Sequence, residues 1–122
     1  MEQKYIVGDI VMYDNKIMVI KEPRDGSHFD LSSTKEGLVY CLVDVNEIKP
    51  VSLTIAILEK NGWSKGQIYF RHSRIPRIKL CTDGGISWSV SINNDIMGSY
   101  INYVHQLQHI LFAFGIGEEM DV

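Results

Sequence analysis

The stretch Ile86-Ser87-Trp88-Ser89-Val90-Ser91-Ile92 decides how this 122-residue chain is read. Apolar and hydroxyl residues alternate without interruption, which is the period of a β-strand with one face toward a core and the other toward water. Immediately before it, Thr82-Asp83-Gly84-Gly85 has the composition of a tight hairpin turn. Residues 77–81 and 67–71 then read as two further strands of a three-stranded antiparallel sheet. Ile68, Phe70, Ile78 and Leu80 fall on the apolar face with Trp88 and Val90. Tyr69, Arg71, Arg77 and Lys79 fall on the side of the serines.

Downstream, Tyr100, Val104, Leu107, Leu111 and Phe114 recur in steps of four and three, so residues 99–114 are expected to form a helix whose stripe covers that apolar face. Gly115 stops it, and the acidic Glu118-Glu119-Met120-Asp121 follows. Upstream, Thr54 as N-cap and Gly62 as the left-handed C-terminal residue bracket a two-turn helix with Ile57 and Leu58 inward. At the start of the chain, residues 5–13 and 16–21 are β-rich runs joined by Asp14-Asn15, a pair that tolerates a tight hairpin. Residues 22–37 collect Pro, Gly, Ser and charges and read as a long loop before a third strand at 38–43. The expected fold is α+β in a single domain, 1–122, with a β-rich lobe at 1–50 and an α-β-β-β-α lobe at 51–122.

Composition sets outer bounds. The apolar share of 45% with 22% charged residues excludes a disordered or fibrous chain. No apolar run approaches the roughly 20 residues of a membrane span, and Met1 to Val11 lacks the pattern of a signal peptide, so no membrane role and a cytoplasmic location are expected. Cys41 and Cys81 make no C-x-x-C pair and read as reduced, packed thiols. The net charge of −3 does not draw the whole molecule to nucleic acid, and no sequence-specific nucleic-acid partner is expected. The basic residues are unevenly placed, however. Six of the twelve lie between Lys60 and Lys79, and no Asp or Glu interrupts residues 60 to 82.

That stretch supplies the candidate ligand site: Tyr69, Arg71, Arg74, Arg77, Lys79 and Ser89. Arginine forks bind phosphate through paired hydrogen bonds, hydroxyls add further ones, and an aromatic ring offers a stacking platform, so an anionic, nucleotide-like small molecule suits it. The same residues also read as a plain solvated face. Arg74, beside Ile75-Pro76, falls in the turn between strands.

His105-Gln106-Leu107-Gln108-His109 places two histidines four apart on a helix, the spacing of a zinc site, but the general-base position holds Gln106, which takes no proton from a metal-bound water. By helical angle both histidines lie opposite the buried stripe. Ile101, His105, Gln108 and Phe112 form a flanking, semi-apolar stripe that reads as an interface candidate, implying a homo-oligomer. There is no G-x-S-x-G elbow, P-loop or G-x-G-x-x-G, so no catalytic residue, metal or cofactor is assigned.

Two stretches carry a resemblance: residues 44–63, from Asp44-Val45-Asn46-Glu47-Ile48-Lys49-Pro50 to Glu59-Lys60-Asn61-Gly62-Trp63, and residues 103–119, with Tyr103-Val104-His105-Gln106-Leu107-Gln108-His109. With the opening strand, they resemble uncharacterised small proteins of phages, prophages and mobile elements of gut Bacteroidetes, of the type PIPLTEEIL-x-K-x-GF and HQLQNLYFALTGEEL. This sequence departs from that pattern at Val51-Ser52, where the group has Ile-Pro, and at His109, where it has Asn. Paired-histidine metal binding is therefore not implied. The resemblance implies a non-enzymatic accessory protein in a bacterial host cell, binding a host or phage component. Sequestering a nucleotide messenger as an anti-defence protein is one route; a protein-interaction or virion-associated module is the other.

Overall fold

Asp14 and Asn15 both adopt left-handed backbone, φ 51° and 61°, and close the hairpin expected of them. This is described in a computed structural model covering residues 5–33, 35–66, 69–82, 87–93, 95–115, 120 and 122. The fold is α+β, with two five-stranded antiparallel sheets and a C-terminal helix. The chain divides into two units, Met1–Val51 and Ser52–Val122.

In the first unit, β1 (Ile10–Tyr13), β2 (Lys16–Asp25), β3 (His28–Ser32), β4 (Val39–Asp44) and β5 (Lys49–Pro50) form a sheet in the order β4-β3-β2-β1-β5. Val11, Met18, Ile20, Leu31, Val43 and Ile48 are buried in its core. β1 begins at Ile10 rather than at Tyr5, because Gly8 turns the chain at φ 94°. The Asp9 carboxylate accepts the Ile6 N–H at 2.8 Å in that turn.

Residues 22–37 are not the long loop that their composition suggested. β2 runs on to Asp25 and β3 follows after a turn at Gly26-Ser27, so most of the segment is paired. Pairing shifts on both sides of Pro23, between Ile20 and Glu22 and between Pro23 and Asp25, and such bulges accommodate a residue with no N–H to donate.

Asp30, buried on β3, organises the outer half of this sheet. Its Oδ2 accepts from Arg24 Nε at 2.7 Å, while its Oδ1 accepts the Leu42 N–H at 3.1 Å. Leu42 has φ 56°, a conformation uncommon for a bulky residue, at a bulge where Leu31 pairs with Tyr40 but Phe29 pairs with Val43. Arg24 and that N–H hold the Asp30 carboxyl below its ordinary range. In the neighbouring turn, the Ser27 N–H and then His28 lower Asp25 to about 2.

The second unit has α1 (Ile55–Lys60), β6 (Trp63–Lys65), β7 (Phe70–His72), β8 (Ile75–Thr82), β9 (Trp88–Ile92), β10 (Asp95–Ile101) and α2 (Val104–Ala113), with the sheet in the order β10-β9-β8-β7-β6. The expected sheet thus gains a strand on each edge. Ile68, the 83–85 turn and Ile86 lie outside the described residues. The helix begins five residues later than expected, because the chain is still in β10 there, with Tyr100 and Ile101 paired to β9. Of its expected stripe, Val104, Leu107 and Leu111 are buried, whereas Tyr100 and Phe114 are exposed. Among the described residues no helix is long and apolar enough to cross a membrane.

Thr54 Oγ1 accepts the Ile57 N–H at 3.2 Å and caps α1. Gly62 follows the helix at φ 89°, and a Cβ placed there would meet His72 Nε2 at 2.9 Å. Glycine is required twice over, once for the backbone and once for space.

Two predictions follow from these contacts. Gly62→Ala lowers the stability of the second unit by more than about 1 kcal/mol in denaturant unfolding, whereas Gly26→Ala, with nothing within 4 Å of the added carbon, has a smaller effect. A depressed carboxylate stabilises above its unfolded value and loses that contribution as pH falls through its folded value. The first unit therefore weakens between pH about 4 and about 2, and a double Asp25→Asn, Asp30→Asn variant shows a shallower fall in its urea midpoint over that range.

Candidate functional site

The second sheet sorts its side chains by period two. Phe70 pairs with Leu80 and Leu80 with Val90, all buried; Ile101 pairs with Trp88, also buried. The residues between them face the other way. Ser64 pairs with Arg71, Arg71 with Lys79, and Lys79 with Ser91, giving one row across four strands. One step along, Cys81 pairs with Ser89 and Ser89 with Tyr100. Tyr69, just before β7, alternates with buried Phe70 and so belongs to this same face.

Arg71 and Arg77 are exposed, Tyr69, Lys79 and Ser89 are half-buried, and Ser91 is buried. The Lys79 ammonium lies 5.6 Å from the centre of the Tyr69 ring. Arg77 Nε donates to Asn93 Oδ1 at 3.2 Å, and its guanidinium stands 5.5 Å from the Phe114 ring. Ser89 Oγ donates to the Cys81 carbonyl at 3.3 Å. The ion pairs of Arg24 with Glu22 and Asp30, and of His28 with Asp25, lie in the first unit, away from this face. The face can therefore offer cationic donors, hydroxyls and aromatic rings to an anion bearing a flat ring system.

Arg74 does not join this group. It sits in the turn between β7 and β8, where its N–H donates to His72 Nδ1 at 3.1 Å. Its side chain lines a separate cleft of about 430 Å³, together with Lys60, Trp63, His72 and Met120. A backbone N–H can only donate, so His72 Nδ1 is the accepting nitrogen and Nε2 carries the proton that faces the Asn61 carbonyl at 3.0 Å. That ring is a structural strut between α1 and the β7–β8 turn.

The proposed interface stripe is also dispersed. Ile101 is a buried residue of β10, not a helical one. His105 is 4% exposed, stacked on Tyr103 at 5.9 Å and edge-on to His109 at 5.6 Å, instead of facing outward. The aromatic neighbour at the helix start covers the ring that helical angle alone turned outward. Gln108 is half-buried, and Phe112, 71% exposed, is the member of the stripe that reaches the surface. Among the described residues no group of three or more His, Cys, Asp and Glu could hold a metal ion. Cys41 is exposed and Cys81 half-buried, both as free thiols.

The chain matches no family model, no curated protein and no solved structure.

Tyr100 is the site residue that the sequence reading misplaced. Its register opposite Ser89 puts it on the polar face, 68% exposed, where the helical stripe had placed it in the core. Asn93-Asn94-Asp95, a turn-rich run directly after a strand, was the signal for another hairpin there. Gln106 also has a different role from the one its position in the paired-histidine motif suggested. Its Oε1 accepts the N–H groups of Asn102 at 2.8 Å and Tyr103 at 3.1 Å, and so caps the passage from β10 into α2. Gln106→Ala is expected to cost about 1 kcal/mol, read as a lower denaturant midpoint with unchanged secondary structure by circular dichroism.

Proposed function

We propose that this chain is a non-enzymatic binding protein that captures an anionic, nucleotide-like ligand on the cationic face of its second sheet. The observation that carries this reading is the juxtaposition of Arg71, Arg77 and Lys79 with Tyr69 and Ser89 on one side of β7, β8 and β9. Arginine at such a site supplies phosphate hydrogen bonds that stay charged at any working pH. Lys79 over Tyr69 is a contact worth about 0.5–1 kcal/mol at an exposed site, weak enough for a ring-bearing ligand to displace. On the resemblance to phage and mobile-element proteins, the setting is the cytoplasm of a bacterial host and the biological role is sequestration of a nucleotide messenger used in defence.

A second reading has its own observation. Phe112 is 71% exposed on α2, and a large apolar ring of that exposure suits a contact between copies of the chain or with another protein. On that reading the protein is a homo-oligomer or a virion-associated interaction module, and the cationic face is solvated surface.

Isothermal titration with a panel of mono- and cyclic nucleotides separates the two. Arg71→Glu with Arg77→Glu is expected to abolish binding, a loss of at least about 100-fold for two charge-assisted contacts, while Phe112→Glu leaves it unchanged. A protein that binds no nucleotide and that Phe112→Glu converts from oligomer to monomer in native mass spectrometry supports the second reading instead.

A further inference from the structure

From the span of the aromatic groups on this face, and resting on the nucleotide-binding reading above, we infer that the ligand is a single-stranded polynucleotide and that Tyr100 is its second stacking platform. Tyr69 alternates with Phe70 and is therefore set beside Cys81; Cys81 pairs with Ser89, and Ser89 with Tyr100. Three strand spacings separate the two tyrosines, about 14 Å at the usual distance between neighbouring strands. No single base bridges that gap. Occupying both rings takes at least two bases on one connected strand.

The rest of the face suits such a strand better than a free mononucleotide. An open sheet of antiparallel strands gives a small ligand no walls, whereas small-molecule sites are concave and enclose most of their ligand. A polynucleotide needs only a track of cations with aromatic rings along it, and sheet surfaces of this kind stack two or three bases. Arg71 and Lys79 lie one row from the tyrosines and Arg77 one row further, so the phosphates have partners beside the bases. The surface between the rings is small and polar, with Cys81 and Ser89, and leaves room for an intervening sugar. Among the described residues, the face offers cations, hydroxyls and rings rather than an ordered set of base-edge donors and acceptors, so recognition is by stacking and charge.

The position of Tyr100 is itself a constructed feature. Between the pairs Ile96–Ser91 and Tyr100–Ser89, β10 spends four residues where β9 spends two. Bulges of this kind re-aim side chains beside functional sites. Here the extra residues bring a tyrosine opposite Ser89, where it is 68% exposed although the very next residue, Ile101, is buried in the core.

The experiment is fluorescence anisotropy with labelled ten-residue oligouridylate and oligothymidylate, beside titration of the corresponding mononucleotides and of a duplex of equal length. Both oligomers are expected to bind, each at least about 10-fold tighter than the duplex, whose bases are already stacked. Tyr100→Ala weakens the oligomers by about 5- to 100-fold and leaves mononucleotide affinity unchanged. Because Tyr100 is solvent-exposed, the variant keeps its fold, which circular dichroism checks. The logarithm of the affinity falls with the logarithm of salt with a slope of about −2, from three cations on a single strand. Preference for one of the two oligomers assigns the strand as RNA or DNA and supports the inference either way. Mononucleotides binding as tightly as oligomers, with Tyr100→Ala silent, would overturn the polynucleotide inference and leave the nucleotide reading standing. Duplex binding equal to that of the single strands would overturn it as well. Absence of binding by every probe removes both.

Discussion

Trp88 fixes the second unit. Its side chain is fully buried, packed edge-on to Phe70 at 5.3 Å, and its indole N–H donates to the Leu53 carbonyl at 3.0 Å. An indole N–H buried without an acceptor would cost about 1–3 kcal/mol, so the ring belongs where Leu53 can receive it. Leu53 in turn accepts a place through its own N–H, which donates to the Asn102 carbonyl at 2.9 Å. One side chain thus ties the segment before α1, the middle of the sheet and the segment before α2 to a common point. With Trp88 inward, the period of two assigns every other side chain of β9, and through the ladder those of β8 and of Tyr100 and Ile101 in β10.

The cationic face is a consequence of that assignment. A slip of one residue in β9 would turn Ser89 and Ser91 toward the core and Trp88 and Val90 away from it, so core packing protects the register. The side chains opposite the core are then free to be chosen for chemistry. Arg71 and Lys79 meet across the β7–β8 ladder because Phe70 and Leu80 meet on its other side. Packing energy positions the donors, and the donors contribute nothing to the core. Arg74 shows the limit of this arrangement: three residues beyond Arg71 and past the end of β7, it leaves the ladder and turns into the cleft beside His72.

Local patterns with a mechanism were legible in the sequence. The alternation of β9, the Asp14-Asn15 hairpin, the Thr54 cap and the Gly62 terminus each rest on neighbours in the chain, and each appears where its chemistry placed it. What depends on distant partners was not legible. Tyr100 satisfied a helical spacing with Val104 and Leu107 by coincidence, and only the ladder to Ser89 decides for the strand. His105 looked outward on a helical wheel, and its burial depends on where Tyr103 stacks. Residues 22–37 carried loop composition, but the polar residues there do structural work: Arg24 and Asp25 serve Asp30 and the turn, and Pro23 is taken up between bulges. Of the candidate ligand residues, those on the ladder came together and the one in a turn did not.

Among the described residues, both sheets are built almost wholly from strands that pair with their immediate neighbours in the chain, except that β5 returns past others to reach β1. Loop closure is then short at nearly every step, and each pairing can form before the next is needed. Pairing between chain neighbours keeps contacts local, a property associated with fast folding. The order of pairing does not close either sheet, however: β4 and β5 in the first and β6 and β10 in the second are edge strands, and an edge is where a further strand from another chain can add.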